Sequence, residues 1–161
     1  MCAEEPIFLE LKKNFQGVVY KRRIAMEYGR ALKCLGHEIP EDSQILREIT
    51  WFFALYGGLQ PKAMISYDRA ALFGKEDEHL RVTFDYNIRF RDTKLDMMEG
   101  DWGIPLVLDD RLLMEIKIPG TMPLWLSHTL GELSIFPTSF SKYGTAYQKY
   151  IFPEMGGIIC A

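Results

Sequence analysis

Basic and acidic side chains recur at every second position in several short apolar runs of this chain. The longest, Leu80 to Arg91, reads LRVTFDYNIRFR. Strict alternation assigns Leu80, Val82, Phe84, Tyr86, Ile88 and Phe90 to one face. It assigns Arg81, Thr83, Asp85, Asn87, Arg89 and Arg91 to the other. The same period offers Glu10 with Lys12, Lys21 with Arg23, and Glu115 with Lys117. Any one such face is ordinary on a strand half in water, and cross-strand Glu–Lys pairs would explain the mixture of signs as modest stabilisation. Together they suggest more specific chemistry. The guanidinium fork suits bidentate contact with phosphate oxygens, and carboxylates among them suit a divalent cation. A polyanion carrying a divalent metal would satisfy both signs if the sheet curled around it.

The elements that must position these residues follow from periodicity and turn chemistry. Residues 7–13 and 18–24 read as strands joined by a turn at Asn14 to Gly17, a β-hairpin. Ala25 to Leu35 reads as a helix stopped by Gly36. After a loop from Pro40 to Ser43, Ile45, Ile49, Phe52 and Tyr56 recur at helical spacing until Gly57-Gly58, an apolar stripe expected to face a sheet. Lys62 to Tyr67 reads as a strand, Asp68-Arg69 as its end, and Lys75 to His79 as a polar turn before the long strand. The charged stretch Asp92 to Gly103 is a mobile-loop candidate. Residues 104–108 are a short strand at best, because Pro105 cannot donate to a ladder. Asp109-Asp110 is a turn, Leu112 to Ile118 a strand, and Leu124 to Glu132 and Ser141 to Tyr150 are helices. The last helix carries a Tyr143, Tyr147 and Tyr150 stripe that reads as packing. The order favours an antiparallel sheet with flanking helices, an α+β fold.

With 161 residues, 48% hydrophobic, one domain with a real core is expected over 1–161. A net charge of −3 argues against broad nucleic-acid binding but leaves room for an enclosed basic site. Cys2, Cys34 and Cys160 lack CxxC spacing, so neither a disulfide framework nor a zinc site is expected, and a cytoplasmic location follows. The longest apolar stretch, around Ile49 to Leu59, is too short to span a bilayer, and MCAEEP lacks a basic signal region. His37, His79 and His128 show no ligand spacing. No P-loop, GxSxG or HExxH is present.

LELKK with YKRR, YDRAALF, RVTFDYNIRF, LLMEIKIPGTMPLWL and FSKYG succeed one another from about residue 8 to residue 150. In this order they resemble the VTC (vacuolar transporter chaperone) domain of the triphosphate tunnel metalloenzyme, or CYTH-like, superfamily. The resemblance implies an antiparallel β-tunnel, or barrel, with charged side chains pointing inward. It implies binding of ATP, triphosphate or polyphosphate with Mn or Mg, and polyphosphate polymerase activity that moves the γ-phosphate of ATP onto a growing chain. Arg69, Arg81 and Lys142 match tunnel residues given catalytic roles, and Lys12 matches a phosphate ligand. Glu115 matches the metal-binding glutamate, with Glu10 and Asp85 as further metal candidates. Lys21, Arg23, Arg89 and Lys117 fit the phosphate-lined wall by alternation.

Against the family pattern the chain reaches LELKK almost at once. About the first third of the domain, with a Glu/Lys strand and an Arg-x-Arg strand, is expected to be missing. The tunnel is then incomplete, as expected of a truncated reading frame, of a fragment, or of a version completed by a homo-oligomeric copy or a second chain. An inorganic or nucleoside triphosphatase and a non-catalytic polyphosphate-binding module are the alternatives. A plain α+β domain with a solvated sheet face would show no phosphate affinity.

Overall fold

Period-2 apolar patterning gives two separate antiparallel sheets, and helices cover their apolar surfaces. The computed structural model describes residues 6–36, 38–39, 43–107 and 111–154. Cys2, Cys160, His37, the start of the Pro40 loop and the expected Asp109-Asp110 turn lie outside the described residues. The architecture is α+β, and among the described residues the strands do not close into a barrel. The chain divides into two compact units, Met1–Pro61 and Lys62–Ala161.

In the first unit, β1 (Ile7–Phe15) and β2 (Val18–Met26) form the hairpin. The strands run further than expected because only Gln16 and Gly17 turn. Both have positive φ, 50° and 79°, as the two-residue type I′ hairpin requires. Ladder pairing also claims Ala25 and Met26, so α1 begins at Tyr28 (Tyr28–Leu35) rather than at Ala25. Ser43 caps α2 (Gln44–Leu55), accepting from the Leu46 N–H. Gly57 and Gly58, both at positive φ, return bonds to Ala54 and Phe53 and stop it. Ile7, Leu9, Leu11, Ile24 and Met26 pack on Ala31, Cys34, Leu46 and Ile49 to make the core. The inward stripe of α2 is thus Ile45, Leu46, Ile49 and Phe53. Tyr56, expected inward, is exposed and lies against Phe52.

In the second unit, β4 (Arg81–Arg91) is central. β3 (Met64–Phe73) pairs along one edge. On the other edge β5 (Ile104–Pro105) pairs with the end of β4, and β6 (Leu113–Lys117) pairs with its start. β3 does not end at Tyr67. Asp68 and Arg69 continue it opposite Tyr86 and Asp85, because pairing overrides the turn preference of Asp. α3 (Leu124–Glu132) follows Pro123, with Leu126 buried. α4 (Lys142–Ala146) is capped by Ser141, which accepts from the Gly144 N–H, and continues as a π-helical turn, Tyr147–Ile151. Ile88, Phe90, Leu106, Ala146 and Ile151 form this unit's core, and Tyr150 stacks on Phe90 at 5.2 Å.

The segment after β4 is tied down rather than loose. Arg91, 2% exposed, donates to the carbonyls of Lys94, Asp96, Gly100 and Trp102 and lies over the Trp102 ring. A buried guanidinium needs this saturation. Gly103 then passes so close to β4 that a Cβ would sit 2.5 Å from the Phe90 carbonyl oxygen.

Candidate functional site

The register of the second sheet decides which charged residues share a face, because directly paired residues point the same way. Arg69 pairs with Asp85, Ala71 with Thr83 and Phe73 with Arg81. Across the other edge, Asp85 pairs with Leu113, Thr83 with Glu115 and Arg81 with Lys117. One face therefore carries three rows: Arg69–Asp85–Leu113, Ala71–Thr83–Glu115 and Phe73–Arg81–Lys117.

The unbroken alternation expected for β4 fails at Asn87. Ser66 pairs with Arg89 but Asp68 pairs with Tyr86, so two β4 residues, Asn87 and Ile88, stand against Tyr67 alone. Asn87 has φ 50° and donates to Asp68 Oδ2 at 2.7 Å. This β-bulge inverts the strand's parity. Phe90, paired with Ile65, shares the face of Arg81 and Asp85, whereas Arg89, paired with Ser66, is on the reverse face. There Arg89 bonds Asp101 Oδ2 at 2.7 Å. Arg91 is occupied with its carbonyls. Neither joins the other charged residues.

At the centre of the face lies Asp85, 1% exposed. Arg69 makes a two-pronged contact with it, Nε to Oδ1 at 2.5 Å and Nη2 to Oδ2 at 2.8 Å. Lys142 Nζ reaches the same Oδ2 at 2.6 Å from the first residue of α4. Both cations also lie over the Tyr67 ring, at 4.9 and 4.5 Å. Burial pushes the Asp85 carboxyl upward, but hydrogen bonds from Arg69 and Lys142 outweigh it and hold the group below its ordinary value. The Arg69 guanidinium is pushed up by its bond to Asp85, against the effect of burial.

Beyond this knot, Glu115 and Lys117 meet at 3.2 Å, and Arg81 stacks on Phe73 at 5.4 Å. Two polar atoms here, Arg81 Nε and Thr83 Oγ1, are buried with no hydrogen-bond partner among the described residues. Buried donors are nearly always satisfied, so orphans on a basic face mark a place for an acceptor. Sequence reasoning missed Thr83 and Tyr67. Thr83 had a signal, standing between Arg81 and Asp85 at the same period; Tyr67 lay in an expected strand close to Arg69, but its place under Lys142 depends on a contact with α4 that no local pattern shows.

Comparison with family models adds the decisive observation: the model of the VTC domain matches residues 2–151. The chain belongs to the VTC domain family. A search of curated proteins gives no match.

In this VTC domain, Arg69, Arg81, Glu115 and Lys117 share one sheet face, and Lys142 reaches it from α4 to meet Asp85 beside Arg69. Lys12, Lys21, Arg23 and Glu10 belong to the first unit. Glu10 pairs with Arg23 and Lys12 with Lys21 in the ladder, on the hairpin face turned away from that unit's core. Lys21 comes within 3.9 Å of Glu10, and Arg23 lies over Phe8. Among the described residues no three His, Cys, Asp or Glu side chains assemble into a metal cage. Asp85, with both oxygens bonded to cations, does not fit the metal role expected of it. Glu115, half-exposed on the same face, fits as a single carboxylate ligand for a divalent cation. Among the described residues no helix is long and apolar enough to cross a membrane.

Proposed function

We propose that this VTC domain binds triphosphate or polyphosphate on the face formed by β3, β4 and β6, and transfers the γ-phosphoryl group of ATP onto a polyphosphate chain. The observation that carries the reading is the pair of orphaned buried donors, Arg81 Nε and Thr83 Oγ1, on a face shared with Arg69, Lys117 and Lys142. A row of phosphate oxygens supplies the acceptors these groups lack. Membership of the VTC domain family points to the same substrate class.

In the reaction, a terminal oxygen of the chain attacks the γ-phosphorus of ATP in line. The bridging bond to the β-phosphate breaks and ADP leaves. Arg69, Arg81 and Lys142 hold the phosphates in that alignment and offset charge on the oxygens around the transferred group. A bound Mn or Mg ion, held by Glu115, would supply further charge neutralisation. No protein nucleophile is required. The three cysteines without metal or disulfide spacing fit action in the reducing cytosol.

Incubation with ATP and Mn, with products resolved by length, tests the chemistry. Long polyphosphate is expected. Release of phosphate alone would replace the polymerase reading with a triphosphatase. Absence of any affinity for triphosphate would overturn the site itself.

A further inference from the structure

We infer that Asp85 is a positioning residue, whose buried carboxylate fixes Arg69 from β3 and Lys142 from α4 in the orientation in which both meet phosphate. The inference rests on the phosphate-binding reading above. A carboxylate beneath an anion-binding face opposes that function by charge alone, so its place there needs another reason. The geometry gives one. At 1% exposure Asp85 is closed off behind its two partners, whereas the Arg69 and Lys142 side chains keep 29% and 19% of their surfaces open.

Arg69 Nη2 and Lys142 Nζ bond the same Oδ2, at 2.8 and 2.6 Å. Two cations so placed would repel without the anion between them. Each comes from a different element, and each has long rotatable links that would otherwise sample many positions. Asp85 consumes Arg69 Nε and one Nη2 hydrogen, which leaves the Nη1 edge for a ligand. It consumes one of three Lys142 donors. The Tyr67 ring beneath both cations completes the support.

The sign of a neutralising substitution separates this role from a plain charge effect. Inorganic triphosphate is titrated calorimetrically into the parent, Asp85→Asn and Asp85→Glu, with thermal unfolding measured alongside. If Asp85 mattered only as a negative charge, Asp85→Asn would bind more tightly. Positioning predicts weaker binding, by about tenfold or more, despite the added net positive charge. Asp85→Glu keeps the charge and displaces it by one methylene, and it too is expected to bind more weakly. It decides the matter if the Asn variant does not fold. A lowered Tm with unchanged affinity in both variants would make Asp85 merely structural and overturn the inference. Equal or tighter binding by both would do the same while leaving the phosphate site standing. A parent that does not bind triphosphate would remove the functional reading and this inference together.

Discussion

Asp85 and Thr83 are buried neighbours on one strand face, yet their electrostatic situations are opposite. Asp85 has each oxygen bonded, and removing the carboxylate would leave Arg69 and Lys142 without their shared partner. Asp85→Ala is expected to cost about 3–5 kcal/mol, the range for breaking a buried ion pair, read from denaturant unfolding. Its depressed native value also sets a pH dependence. The unfolded group titrates near about 3.9, and the folded one lower. The stability it contributes is therefore present above the unfolded value and lost as pH falls through the folded one. Acid unfolding of the parent should carry this component below about pH 4, and Asp85→Asn should lack it. Thr83 has a buried hydroxyl with no partner among the described residues, a standing cost. Thr83→Val should therefore raise stability by about 1 kcal/mol while weakening triphosphate binding. A stabilised variant with undiminished affinity would show that the hydroxyl makes no contact with the ligand.

Element by element, the strand pattern was legible where pairing is regular and misleading where one residue intervenes. The period placed Arg81 with Asp85 and Glu115 with Lys117 correctly, because Arg81 and Asp85 precede the bulge in β4 and β6 pairs with that regular part of the strand. Arg89 obeys the same period in the sequence and yet faces the other way, since Asn87 adds a residue to β4 opposite Tyr67. Nothing in the composition of DYNIRF announces this, because Asn enters the left-handed region without the glycine that usually advertises it. Asp68-Arg69 read as a strand end for a related reason: a local turn preference gave way to pairing with Tyr86 and Asp85. The charged stretch after β4 read as loose because its organiser, Arg91, contacts carbonyls, which leave no sequence signal. The bulge can be tested directly. Asn87→Val places a β-branched side chain at φ 50° and is expected to cost about 1–2 kcal/mol, whereas Asn87→Gly should be nearly neutral in thermal unfolding. Equal effects would mean that the positive φ is not what sets the residue.

For the whole molecule, the net charge of −3 and the basic sheet faces describe different things. Each face carries a local basic excess: the β3–β4–β6 face has Arg69, Arg81, Lys117 and Lys142 against Asp85 and Glu115, and the hairpin face has Lys12, Lys21 and Arg23 against Glu10. Overall composition therefore disfavours nonspecific binding to nucleic acid while permitting a local site for a compact polyanion. The VTC family match spans residues of both units. The measurement that tests the central claim most directly is calorimetric titration of inorganic triphosphate into the parent and Arg81→Ala, with unfolding curves for both. Saturable binding by the parent is expected. Arg81→Ala should weaken it by about tenfold to a hundredfold, the worth of charge-assisted hydrogen bonds, with little change in Tm. No binding by the parent, or equal binding by the variant, would contradict the assignment of this face to phosphate.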